Sequence, residues 1–171
     1  MNTNDCVPYK RKPLYLLLTI PMILLYVLIA FLLWQIHIGF FIIYISLFVF
    51  VALSMSYVCM YWRCPYIGKF APCVGGFCLP SSQIARLFKN AKRSEARYKL
   101  FLTLAYVNFF AIILFPMPFL YLYNSVYLLV YIGIVVVYAS VFTLFICPVC
   151  GTRHVCPGGQ TAVKIRKNFG S

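Results

Sequence analysis

Charged residues are absent from two long runs of the chain, Pro13 to Trp62 and Leu100 to Thr152, and Leu, Ile, Val, Phe and Tyr dominate both. A helix that crosses a hydrocarbon core of about 30 Å needs ~20 apolar residues. Each run is about twice that length, so each predicts two helices joined by a short hairpin turn. The cluster Gln35-Ile36-His37-Ile38-Gly39 divides the first run into spans of about 14–34 and 40–61. Tyr123-Asn124-Ser125 divides the second into spans of about 100–122 and 126–146. Pro116 and Pro118 are expected to kink the third span near its outer end, because proline lacks an amide donor and clashes with the preceding turn.

The pattern therefore predicts an all-α integral membrane protein with four transmembrane helices. Residues 1–13 form a polar N-terminal segment, 14–80 a first hairpin with the turn after it, and 81–99 a basic segment. Residues 100–159 form a second hairpin with its turn, and 160–171 a basic tail. A cleaved signal peptide fits the first span poorly. Lys10, Arg11 and Lys12 resemble its basic start, but the apolar stretch is long and no small-x-small site follows.

Composition agrees: of 171 residues, 64% are hydrophobic and 10% charged, outside the range of soluble domains. The net charge of +13 would suggest nucleic acid in a soluble protein, but its distribution points elsewhere. Three basic residues precede the first span, eight lie between the second and third, and four follow the last. Neither hairpin turn carries any, so the positive-inside rule predicts cytoplasmic termini and central loop, in a plasma or inner membrane. The expected partners are the bilayer, its anionic headgroups and other membrane subunits, with no nucleic acid.

Within the spans the polar residues are few. Asn108 is expected to hydrogen-bond to a neighbouring helix. Thr19, Thr103, Ser54, Ser56, Ser140 and Thr143 can bond carbonyls of their own helices. Tyr15, Trp34, Tyr61 and Trp62 sit at span ends, as an interfacial aromatic belt would. After Pro80, Ser81 or Ser82 can cap a helix carrying Ile84, Leu87, Phe88 and Ala91 on one stripe, with Arg86, Lys89 and Arg93 off it. That helix would lie on the cytoplasmic leaflet or extend the third span. The spans hold no Asp, Glu, Lys or Arg, which argues against a proton relay or an ion pump with an acidic site. The only acids are Asp5 and Glu95, so hydrolase and transferase chemistry has little support and enzymatic activity stays open.

A thirteen-residue pattern occurs twice. Shifting the sequence by 83 positions lays Cys64, Pro65, Gly68, Cys73, Gly75 and Gly76 on Cys147, Pro148, Gly151, Cys156, Gly158 and Gly159. The shared pattern is C-P-x-x-G-x4-C-x-G-G. Each copy follows the second helix of a hairpin, so the halves read as parallel tandem repeats. A pseudo-two-fold axis along the membrane normal could then bring both turns together.

Seven of the eight cysteines fall at or just outside the expected cytoplasmic span ends. A reducing compartment disfavours structural disulfides there and favours metal ligation. Cys147-Pro148-Val149-Cys150-Gly151 resembles the C-P-x-C-G knuckle of zinc ribbons and rubredoxins. That resemblance spans five residues and implies two thiolates on one metal, with Gly letting backbone amides approach sulfur. The first copy has Ile67 where Cys150 stands, so it is a knuckle short of one ligand.

Two ligand sets follow. Symmetry joins Cys64 and Cys73 to Cys147 and Cys156. Local spacing instead joins Cys147, Cys150 and Cys156 to one thiol of the first half, with Cys78 and His154 in reserve. Either set suits an iron-sulfur cluster, a single iron or Zn. The cysteines also resemble, loosely, those of membrane ferredoxins in quinol-oxidising chains, which likewise follow spans, although their four-Cys runs are missing here. Bis-His haem is not expected, because His37 and His154 fall on opposite sides.

The leading functional expectation is a small membrane metalloprotein acting as a redox or electron-transfer subunit. One alternative is a structural or assembly protein with a Zn-bound or metal-free cysteine cluster. Another is a thiol-disulfide oxidoreductase using Cys147 and Cys150. Lipidated or simply packed thiols complete the set.

Overall fold

A computed structural model describes residues 12–62, 64, 66–68, 78–86, 88, 94–150 and 156–169. The described residues form helices and turns. In chain order they are α1 (Lys12–Ile36), α2 (Ile38–Tyr61), α3 (Cys78–Ile84), α4 (Glu95–Leu114), α5 (Met117–Tyr123), α6 (Ser125–Val141) and α7 (Pro157–Phe169). A π-helical turn, Phe142–Ile146, and a 3-10 turn, Cys147–Val149, continue α6. Among the described residues four helical stretches are long and apolar enough to cross a membrane: Pro13–Ile36, Ile38–Tyr61, Glu95–Tyr123 and Ser125–Ile146. Exposed Leu, Ile, Val and Phe cover their outer faces, a surface that hydrocarbon tolerates and water does not. This is the architecture of an integral membrane protein.

The hairpin turns are shorter than the polar clusters suggest. One residue, His37, separates α1 from α2, and one residue, Asn124, separates α5 from α6. Their backbones are nearly identical, with φ −165° and ψ 133° at His37 and φ −168° and ψ 129° at Asn124. In each turn the side chain caps the next helix. His37 Nδ1 accepts from the Gly39 amide at 3.0 Å, and Asn124 Oδ1 accepts from the Val126 amide at 2.9 Å. Capping one otherwise unpaired amide at a helix start lets the chain reverse in a single extended residue.

The third span breaks where the prolines predict. α4 ends at Leu114, Pro116 precedes α5, and Pro118 lies in its first turn. α4 starts at Glu95, earlier than the apolar run, and an i,i+4 ion pair between Glu95 and Lys99 at 2.8 Å supports that extra turn.

Ring contacts fix the helix order around the bundle. Tyr26 meets Phe48 between α1 and α2, with centroids 5.1 Å apart. Tyr61 stacks on Tyr98 at 4.3 Å, and Phe40 contacts Phe119 at 4.7 Å, so α2 runs antiparallel to α4 and α5. Tyr15 of α1 meets Phe142 at 6.0 Å beyond the far end of α6. Four spans thus alternate in direction. Without water to exclude between lipid-facing helices, such contacts and dispersion hold the bundle, each aromatic pair contributing about 0.5–1.5 kcal/mol.

Several side chains depart from expectation for identifiable reasons. Tyr15 is 1% exposed, in the core beside Phe142, and is no part of an interfacial belt. Asn108 donates through Nδ2 to Leu104 O at 2.7 Å, within its own helix rather than across to another. Ser56 bonds its own helix at Ala52 O, 2.6 Å, as expected.

The largest departure concerns Ser81 and Ser82. They do not begin a surface helix but lie inside α3 and are buried, while Ala85, Arg86 and Phe88 after it are in turns. Ser81 Oγ donates to Ala52 O at 2.9 Å. Ala52 precedes the end of α2 by nine residues, or about 13 Å of helix. The chain after α2 therefore doubles back along it. With α3 and α4 both packed on α2, five successive residues near its end, Ser56, Tyr57, Val58, Cys59 and Met60, are buried. Side chains of Leu87, Lys89, Ala91 and Arg93 fall outside the described residues.

Candidate thiol site at the turn end of the bundle

Each hairpin delivers its thiol turn by the same backbone construction. The Cys64 amide donates to Cys59 O at 3.0 Å, five residues back, and the Ile67 amide donates to Cys64 O at 3.2 Å. In the second copy the Cys147 amide donates to Phe142 O, again five residues back. The Cys150 amide donates to Cys147 O at 3.2 Å. An i→i+5 bond widens the last helical turn, and the i→i+3 bond then folds the Cys-Pro segment tightly. In the second copy this turn carries Cys147 at one end and Cys150 at the other.

The first copy is closed by other means. Gly68 has φ +71°, a conformation glycine adopts without strain. Its amide is not left for a sulfur, since it donates to Ser82 O at 2.9 Å. Its carbonyl accepts from Arg86 Nη2 at 2.6 Å. A Cβ at Gly68 would collide with the Arg86 guanidinium. Where the second turn offers Cys150, the first offers Ile67 and a turn pinned to α3.

The two turns meet at Tyr66. Its ring is 2% exposed and packs against Met55, Cys64 and Cys150. One thiol from each half therefore borders the same buried ring. Cys147 joins the main core with Tyr15, Phe142, Ile146 and Ala162. Ala162 belongs to α7, which docks on the π-helical and 3-10 turns of the second copy. Cys156 stands immediately before α7, and its carbonyl accepts from the Gln160 amide at 2.9 Å. The residues expected to be a basic tail are thus a packed helix.

Cys64, Cys147, Cys150 and Cys156 all lie at this end of the bundle, while Cys73 and His154 fall outside the described residues. Cys59 is buried within α2. Among the described residues no three His, Cys, Asp or Glu side chains are gathered closely enough to hold a metal ion. Cys64 and Cys150 both pack against the Tyr66 ring, and Cys73, a member of the symmetric set, falls outside the described residues. Sequence reasoning missed Tyr66 and Arg86. Tyr66 occupies the first variable position of the C-P-x-x-G pattern, and nothing in its spacing distinguishes it from the other aromatics.

Fold and site together define a class, an all-helical four-span membrane protein with cysteine turns at one end. No family model, curated protein or solved structure matches the chain.

Proposed function

We propose that this chain is a small multi-pass membrane metalloprotein in which thiolates of two tandem hairpin repeats clamp one metal centre. With iron or an iron-sulfur cluster it would serve as an electron-transfer subunit at the cytoplasmic leaflet. The carrying observation is the matched pair of backbone bonds, Cys64 to Cys59 and Ile67 to Cys64, repeated as Cys147 to Phe142 and Cys150 to Cys147. Near-identical one-residue hairpin turns at His37 and Asn124 further support duplication. Those turns are offset by 87 positions and the thiol turns by 83, so the second hairpin is about one helical turn shorter on its return.

Both termini and the basic central segment face the cytoplasm in this reading, and anionic headgroups meet the exposed Arg86, Arg97 and Lys164. Cys147, Cys150 and Cys156 supply three thiolates from the second half, and one thiol of the first half, Cys64 or Cys73, completes the shell. The metal would bring charge neutralisation of these thiolates and, if iron, one-electron chemistry.

Anaerobic purification followed by metal analysis and electron paramagnetic resonance tests the proposal. Stoichiometric Fe or Zn that is lost in Cys147→Ser and Cys150→Ser, and kept in Cys59→Ser, is the expected result. Protein without Fe or Zn sinks it.

A second reading follows from Tyr66: the thiols pack as small hydrophobes around its ring, and the chain is a structural or assembly subunit. It predicts no reducible centre, and unchanged folding when Cys64 and Cys150 are replaced by Ala. The oxidoreductase reading requires a reversible Cys147–Cys150 disulfide, which alkylation before and after reduction detects.

A further inference from the structure

Towards the hairpin end of the bundle, away from the thiols, the core contains a polar group that the fold leaves unanswered. Tyr44 is 0% exposed, and its hydroxyl has no hydrogen-bond partner among the described residues. Its ring packs edge-on against Phe48 at 5.1 Å and lies nearly parallel to Phe115 at 6.2 Å. Phe115 lies between α4 and α5, so this contact sets Tyr44 beside their junction.

The same level of the bundle holds the break between α4 and α5. Pro116 and Pro118 have no amide hydrogen, so the carbonyls of Ile112 and Leu114 lose their helical donors. Ile113 O, between them, accepts from the Tyr131 hydroxyl at 3.0 Å. Having donated its proton there, Tyr131 keeps oxygen lone pairs for another donor. Backbone freed by proline inside a membrane bundle is commonly satisfied by hydroxyls and ordered water. A buried water needs two to four polar partners, and this region offers the Tyr44 hydroxyl, the Tyr131 oxygen and the kink carbonyls.

We propose that Tyr44, Tyr131 and the Pro116 kink form an internal water-binding site in the bundle core, holding ordered water between α2, α4 and α6. The ligand is water itself. The site ties the kink to α6 through the direct Tyr131–Ile113 bond and to α2 through water, and so keeps polar backbone satisfied at membrane depth.

Hydroxyl-radical labelling by X-ray radiolysis of the full chain in lipid nanodiscs tests this, because radicals born from a bound water attack the side chain beside it. Tyr44 is expected to be oxidised several-fold faster than Phe142, an equally buried ring. In Tyr131→Phe, which keeps the ring and removes one water partner, Tyr44 labelling should fall towards that of Phe142. Tyr44 labelling no faster than Phe142 in the unaltered protein overturns the proposal. Undiminished labelling in a folded Tyr131→Phe variant overturns the shared geometry.

Discussion

Single residues govern the tight places in this fold. Gly68 combines φ +71° with the Arg86 guanidinium against its α-carbon, so Gly68→Ala should destabilise by about 1–3 kcal/mol, read as a lower unfolding midpoint in detergent. Ala at an exposed, unstrained position is the control. The caps at His37 and Asn124 each satisfy one amide, and Asn124→Ala should cost ~1 kcal/mol while Asn124→Asp retains most stability. Equal unfolding midpoints for the two variants would remove capping as the reason for the one-residue turn. Cys-Pro spacing, the lone polar residues at the hairpins and the glycines were all legible along the chain. Their contacts were not, since Arg86 lies eighteen positions from Gly68 and no local pattern joins them.

At the scale of elements, the spans follow directly from hydrophobic run length, and the proline break in the third follows from missing amides. α3 does not follow. Its serines look like caps, yet Ser81 spends its hydroxyl on Ala52 O, a carbonyl already shared with Ser56. Ser81→Ala should therefore cost only about 1 kcal/mol but loosen the docking of α3. Hydrogen exchange reads this locally: the Gly68 amide, bonded to Ser82 O, should exchange faster, while the Leu120 amide in α5 stays unchanged. Equal protection of Gly68 in both proteins would show that the docking does not depend on this hydroxyl. Likewise α7, polar and basic by sequence, is held by Ala162 and Gly159 against the second thiol turn. Small residues permit that close approach without announcing it.

For the whole molecule the deciding fact is its outer surface. Val136 in α6 is 56% exposed and lies at the middle of its span, whereas Leu122 is 82% exposed beside the hairpin turn. Val136→Arg should oppose insertion by about 2.5–3.5 kcal/mol, and Leu122→Arg by much less because its side chain can reach the interface. The membrane-integrated fraction after cell-free synthesis with bilayer vesicles measures both. Equal insertion of the two variants would contradict the placement of α6 across the bilayer.

Run length and the absence of charge by themselves determined four spans, their alternating directions and the positions of the hairpins, because a bilayer imposes one length and one polarity on any helix that crosses it. The doubled Cys-Pro-x-x-Gly spacing likewise marked both thiol turns. Only the tertiary structure decided what surrounds them: that Cys64 and Cys150 both pack against Tyr66, that α3 folds back along α2, and that Tyr15 and Tyr44 turn inward. Those outcomes depend on which faces of distant helices meet, and packing of apolar side chains against one another leaves no periodic trace when every face of a span is apolar.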